Sequence, residues 1–305
     1  MHDFRVSVVI TTYNRCRLVG RAIQSALDQA WPELEVLVVD DASTDGTPDL
    51  MRSSYPHVRY VRQNSNRGVS AARNRGLREA SQPWVVFLDD DDTLLPGALS
   101  RISTRVAEFT EVNTYPVLQF ARSTGRIPTE FMIIRLEHYV SGALQGDFVP
   151  VIHKERFLAE GLAYPESVRS GEGLLWFRVA EEYGFPTWAD QVESLHTDAP
   201  TRETSTGNQL RHARDFAKLQ EHFLKELGEV LARKFPAYYQ KKRLGAATYW
   251  ILAGEGTAAR AHIHLALQRG YSIGAVGLWA LSFLPRAWAQ RCFVLYRRRV
   301  NGWKS

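Results

Sequence analysis

The chain is poor in cysteine. Cys16 and Cys292 stand at opposite ends of 305 residues, which excludes a disulfide framework and a zinc knuckle and points to a reducing compartment. Long apolar runs are also missing. Ile273–Leu284 is the nearest approach, about a dozen residues ending at Pro285-Arg286, against the roughly 20 that a spanning helix needs. The opening MHDFRVSVVITTYN has no basic stretch followed by an apolar core, so no secretory leader is expected. With 45% hydrophobic and 23% charged residues, the composition excludes disorder, a collagen-like repeat and a coiled coil.

Acidic residues are absent from one region. No Asp or Glu follows Glu255, while Arg260, Arg269, Arg286, Arg291, Arg297, Arg298, Arg299 and Lys304 do. The rest of the chain then carries thirty basic against thirty-three acidic residues, although the whole has a net charge of +5. A basic tail on a slightly acidic body implies an anionic partner for the tail alone and no nucleic-acid role for the body.

What is present in the first 100 residues is alternation of strand and helix. Val6–Ile10, Glu35–Val39, Val58–Val61 and Trp84–Leu88 read as strands, the β-branched ones buried on both faces. Helices are expected over Leu18–Ala30 and Arg67–Glu79. Such alternation argues for right-handed crossovers and a largely parallel sheet, with ligands beyond the carboxyl ends of its strands. That rule selects Thr11–Asn14, Asp40–Ser43 and Asp89–Asp92, three loops expected to meet at one rim. Further on, Pro116–Phe120, Phe148–Ile152 and Trp188–Leu195 read as extended and Gly173–Tyr183 as helix. From about Asn208 the chain reads as helix after helix, punctuated by Gly228, Gly245, Gly254 and Gly270.

Crowded carboxylates at Asp89–Asp92 repel one another, and a hard divalent cation sharing substrate phosphates would relieve them. The plainer reading is a solvated turn with Asp92 capping a helix that begins near Leu94. Asp40-Asp41 could accept a donor from a base or a ribose, or could serve turn chemistry. In Asn66–Gly76, small residues allow close approach, and Arg73 could fork onto phosphate or could simply be solvated.

Val6–Asn14, Val39–Thr47, Asn66-Arg67-Gly68, Ala72-Arg73-Asn74 and Leu88–Asp92 together resemble, in the same order, the family 2 glycosyltransferases. The resemblance covers about the first 100 residues and thins beyond 110. It implies an α/β GT-A fold, a Rossmann-like and mostly parallel central sheet flanked by helices, with a C-terminal helical extension. The implied activity is inverting, metal-dependent transfer from a nucleotide-diphosphosugar, a UDP-sugar by family default, to a glycan or lipid-linked acceptor in cell-surface polysaccharide synthesis. Thr11, Tyr13 and Asp41 would then seat the nucleobase, Arg73 the diphosphate or ribose, and Asp90 the ribose or sugar. Asp91 is the expected direct ligand of Mn2+ or Mg2+, with Asp89 and His196 beside it.

Inversion also needs a base. The family's acidic pair at a helix start corresponds to Glu172-Gly173, so Glu172 stands alone, with Asp147, Glu166 and Glu155 ranked below it. Gly173 keeps open a second reading, a catalytically silent nucleotide-sugar binder. A signalling receiver would place its acidic pair after the first strand, and a nucleotidyltransferase would show a Gly-rich, lysine-containing loop there; neither pattern is present. The expected organisation is a catalytic domain over 1–207 (nucleotide-sugar half 1–110, acceptor half 111–207) and a helical, basic region over 208–305. Pro200–Gly207 is a candidate lid. Trp279, Phe283, Trp288, Phe293, Tyr296 and Trp303, set among the tail's arginines, fit a helix in an anionic membrane interface or a packed, self-associating subdomain. The expected location is cytoplasmic, peripheral at the inner face of the cell membrane.

Overall fold

The computed structural model describes residues 4–198 and 206–301, with side chains to 297. The candidate lid at 200–207 lies almost wholly outside the described residues. The chain divides into two compact units, Met1–Glu166 with Gly171–Ala199, and Ser167–Ser170 with Pro200–Ser305.

The first unit opens with β1 (Val6–Thr12), α1 (Val19–Leu27), β2 (Leu34–Asp40), α2 (Thr47–Ser54), β3 (Arg59–Arg62), α3 (Val69–Glu79) and β4 (Trp84–Asp89). It continues with β5 (Thr93–Leu94), α4 (Ala98–Glu108), β6 (Val117–Arg122), β7 (Phe131–Ile134), α5 (Leu136–Ser141), β8 (Phe148–His153), α6 (Lys154–Ala159), α7 (Glu172–Glu182) and β9 (Phe185–Ser194). One sheet runs β3-β2-β1-β4-β8-β6-β9-β5, with β7 also on β9. The expected parallel crossovers make up its first half, where β1 pairs in parallel with β2 and β4, and β2 with β3. The second half is mixed: β8 runs antiparallel to β4 and β6, while β6 and β9 are parallel.

The β-branched runs explain why β1 lies inside. All seven of its residues are buried, and alternate ones feed two cores. Val6, Val8 and Ile10 pack with Val36, Val38, Val86 and Leu88 under α1 and α4. Val9 joins Leu37, Val39, Val85 and Phe87 under α3 and α7 on the opposite face. Helix α3 sits close to the sheet because of Gly76, where a Cβ would come within 2.5 Å of Val9 Cγ1. Strand register then levels the rim, since Thr11 aligns with Asp89 and Thr12 with Asp40.

Two expectations change here. Asp92 caps no helix, because residues 93–94 form β5 against β9 and α4 starts only at Ala98. The extended stretches also proved longer or shifted, with β9 starting at Phe185, and β7, α5 and α6 are additional.

The second unit contains α8 (Thr206–Arg211), α9 (Ala213–Lys234), α10 (Pro236–Ala253), α11 (Gly256–Leu267), α12 (Ile273–Leu281) and α13 (Arg286–Asn301). Part of its core joins Ala247, Ile251, Ala259, Ile263, Ala275 and Ala289. Pro236 opens α10, where its missing N–H costs nothing, and Gly254 closes it in the left-handed region at φ +87°. Among the described residues no helix is long and apolar enough to cross a membrane.

Candidate active site

The rim is stapled by its own turns. Asn14, in the left-handed region at φ 53°, accepts the Thr44 and Asp45 N–H groups at 2.7 and 3.3 Å, and its own N–H donates to Ser43 Oγ at 2.9 Å. The β1 and β2 loops are thereby locked together, with the Tyr13 ring left 43% exposed beside them. Asp40 is structural: it accepts Ser43 N–H at 2.8 Å and the Tyr60 hydroxyl. Asp41 is buried and accepts Arg67 N–H at 2.8 Å, Gly68 N–H at 2.7 Å and Gln63 Nε2 at 2.7 Å. Burial still raises its pKa against those three bonds. Asp41 therefore holds the loop that opens α3 at the rim.

Asp89–Asp92 forms a tight turn closed by Asp92 N–H onto Asp89 O at 3.1 Å. Such a turn points neighbouring carboxylates to different places. Asp90 points inward, accepts Thr12 Oγ1 at 2.7 Å and is pushed up to about 7 by burial. Asp92 is buried, accepts His196 N–H at 2.8 Å and is raised to about 6, again by burial first. Asp91 keeps a partly open side chain whose carboxylate lies 3.5 Å from Arg15.

Behind the turn lies a charged lattice. Arg73, only 6% exposed, donates to Glu172 and, at 2.8 Å, to Asp89. Its guanidinium rests 5.4 Å from the Tyr164 ring centroid and 6.0 Å from that of Phe87. Arg122 donates to Asp89 at 3.2 Å and lies 3.6 Å from Asp92 and 2.9 Å from the fully buried Glu193. Burial opposes ionisation of Asp89, but Arg122 and Arg73 outweigh it and hold the group at about 2. Glu172 opens α7, where the helix dipole favours a carboxylate, and its second oxygen accepts Trp176 Nε1 at 3.0 Å.

The structure thus brings Asp89, Arg73 and Glu172 into direct contact and sets Thr11, Asp41, Asp90 and Asp91 along the same rim. Some residues stand elsewhere than the sequence suggested. Arg73 is spent on two carboxylates and lies beneath the surface. Asp89 is occupied by two arginines, and the His196 ring by Thr93 Oγ1 at 3.0 Å. Among the described residues no three His, Cys, Asp or Glu side chains are grouped to hold a metal, so the triad of Asp89, Asp91 and His196 is not assembled. The donor set does fit Mn2+ or Mg2+ held by the Asp91 carboxylate with phosphate and water oxygens completing the shell. Glu166 pairs with Arg67 at 2.7 Å and Asn74 at 2.9 Å. His153 caps α6 and packs edge-on against Trp84.

Sequence reasoning passed over Arg122 and Glu193. The one usable signal was a charged residue at the end of each apolar strand, Val117–Arg122 and Phe185–Ser194. Glu193 carries a pH prediction. Burial, with Arg122 opposing, pushes it up to about 8 from 4.5. A carboxyl whose folded pKa is raised stabilises below its unfolded pKa and loses that contribution as pH rises through the folded value. Stability of the ligand-free protein should therefore fall between about pH 4.5 and 8. Glu193→Gln should flatten the slope and melt higher than the parent at pH 8, as read in thermal scans across that range.

A sheet of this order, with hydroxyl and acidic turns gathered past the carboxyl ends of β1, β2 and β4, defines the GT-A class of glycosyltransferase folds. Solved structures agree. S. aureus TarS 1-349 in complex with UDP-GlcNAc superposes with a TM-score of 0.59 at 16% identity, covering 92% of this chain and 90% of that one. Mannosyltransferase PcManGT from Pyrobaculum calidifontis, in complex with GDP-Man and Mn2+, gives 0.55 at 20% identity over 99% and 88%. The family model Glycosyl transferase family 2 matches residues 7–137, and over that stretch the chain is similar to this family. A Campylobacter jejuni GalNAc(5)-diNAcBac-PP-undecaprenol beta-1,3-glucosyltransferase is 30% identical over 194 residues, 59% of this chain and 61% of the relative. Succinoglycan biosynthesis protein ExoO of Rhizobium meliloti is 43% identical over 101 residues, 33% of this chain and 29% of that protein. The chain thus matches less than two thirds of the length of either relative.

Proposed function

We propose that this protein is an inverting, metal-dependent glycosyltransferase that moves a sugar from a UDP-sugar to a hydroxyl of a glycan or lipid-linked acceptor in cell-surface polysaccharide synthesis. The observation that carries the reading is the levelled rim. Thr11 and Thr12 of β1, Asp40-Asp41 of β2 and the Asp89–Asp92 turn of β4 share one edge, and Arg73 ties that edge to Glu172. Relatives named for undecaprenol-linked and succinoglycan chemistry, and a fold neighbour holding UDP-GlcNAc, support the acceptor and donor classes.

In this reading residues 1–110 take the donor, 111–207 the acceptor, and 208–305 form a basic helical region. The exposed Tyr13 ring stacks on the nucleobase, with Thr11 and Asp41 at its edge, and Asp90 meets the ribose or sugar. Asp91 would hold Mn2+ or Mg2+, an ion that neutralises charge on the departing diphosphate. Glu172 takes the proton from the acceptor hydroxyl. Arg73 and Arg122 keep Asp89 ionised behind the turn. The protein works at the inner face of the cell membrane.

Thermal-shift screening of nucleoside diphosphates and their sugars, with and without Mn2+, tests the assignment. A ligand at 100 times its Kd adds about 2.7 kcal/mol to the folded state. UDP with Mn2+ is expected to raise the melting temperature, and Asp91→Asn to abolish the metal-dependent part. No response to any nucleotide, with or without metal, would sink the proposal.

A further inference from the structure

We propose that residues 271–288, comprising α12 and the turn into α13, are a shallow insertion surface that docks the second unit on an anionic lipid bilayer. The inference deepens the lipid-acceptor reading and rests on it for its purpose, although the contact itself needs nothing from the sugar-transfer site. No residue from Gly270 to Pro285 is charged, and α12 reads Ile-Gly-Ala-Val-Gly-Leu-Trp-Ala-Leu without one polar side chain. A helix of that composition belongs in a core, across a membrane or at an interface. Its nine residues are too few to span. It is not in a core either, since Ala275 alone among them is buried. Ile273 is 80% exposed, Trp279 51%, Phe283 58% and Trp288 59%. That leaves the interface.

The rest of the segment suits lipid. Both of its serine hydroxyls are satisfied internally: Ser272 Oγ accepts Ala275 N–H, and Ser282 Oγ donates to Trp279 O at 2.6 Å. Its other uncharged polar atoms, the Tyr271 hydroxyl and the Trp279 and Trp288 indole N–H groups, sit on amphipathic rings of the kind that lie at headgroup level. Exposed arginines border its uncharged stretch, Arg269 before and Arg286 and Arg291 after, and no acidic residue follows Glu255 in the chain. Tryptophan at the boundary and arginine stems reaching back to phosphate headgroups are the chemistry of a monotopic contact. A second copy of this chain would bring the same positive rim against itself, which disfavours self-association as the cover.

The test sediments the full-length chain with vesicles of phosphatidylcholine alone or mixed with phosphatidylglycerol. Retention is expected on the anionic vesicles, together with quenching of tryptophan fluorescence by brominated acyl chains that weakens in Trp279→Phe. Ile273→Ser/Val276→Ser/Trp279→Ser should cut retention at least about tenfold, and Arg269→Gln/Arg291→Gln should erase the preference for anionic lipid. Melting temperature and nucleotide-induced shift in the triple variant should match the parent, showing that the fold is intact. Absent retention, retention indifferent to the triple substitution, or a dimer that the triple substitution dissolves would each overturn the proposal. Retention by a parent that responds to no nucleotide would uphold the lipid contact while the sugar-transfer reading falls.

Discussion

Glu172→Gln is expected to lower sugar transfer by about 100- to 10,000-fold, the usual share of a general base, with nucleotide and metal binding unchanged. The geometry explains why this residue is isolated in that role. Its carboxylate sits at the first turn of α7, partly open, with one oxygen on Arg73 and the other on Trp176 Nε1. Two lone-pair directions remain for an acceptor hydroxyl. Glutamine keeps the shape and one acceptor oxygen, gives up one of the two bonds from Arg73 and Trp176, and cannot take the proton. Steady-state transfer measured beside nucleotide titration separates the two effects. The neighbouring position sharpens the test, because a Cβ at Gly173 would meet nothing within 4 Å. An aspartate therefore fits there, and Glu172→Gln/Gly173→Asp should recover part of the lost rate if proton removal is the missing function. A parent that binds nucleotide sugar with metal yet transfers nothing, and gains nothing from Gly173→Asp, would mark the chain as a silent binder.

The rim was legible in the sequence because its information is local. Val6–Ile10, Val36–Val39 and Trp84–Leu88 are buried runs that read as strands, and each ends in the hydroxyl or acidic residues that line the site. Parallel crossovers then bring those ends together without further instruction. The lattice behind the rim is a different kind of fact. Arg122 and Glu193 meet because β6 and β9 pair across two register shifts, with 70 residues of chain between them. No local pattern encodes such a pairing. The Asp89–Asp92 turn was visible as four acids, but its division into an arginine-bound Asp89, inward Asp90 and Asp92 and an outward Asp91 depends on the hydrogen bond that closes it. Helix α3 misled for a subtler reason. Its buried face consists of Ser70, Ala71, Ala72, Arg73, Asn74, Gly76 and Leu77, too small and too polar to register as an apolar stripe. An arginine on it therefore read as exposed.

Arg73→Leu should consequently destabilise the ligand-free protein by about 3–5 kcal/mol, the cost of removing one partner from a buried ionic cluster. A residue that only greeted an incoming diphosphate would behave in the opposite way, since its loss would leave the free protein as stable as before and weaken nucleotide affinity alone. The packing favours the first outcome. Arg73 divides its two terminal nitrogens between Glu172 and Asp89 while its plane lies against Tyr164 and Phe87, and leucine replaces none of those bonds. Asp89 would keep Arg122, but among the described residues Glu172 would keep only the Trp176 indole. Arg73→Lys retains the charge without the fork. It should fall between parent and leucine variant, because one ammonium cannot occupy both positions of a planar guanidinium. Urea unfolding of the three proteins without nucleotide supplies the comparison. If the leucine variant unfolds at the parent's midpoint and loses only nucleotide affinity, Arg73 is a substrate contact and the lattice is not what holds α3, β4 and α7 together at the rim.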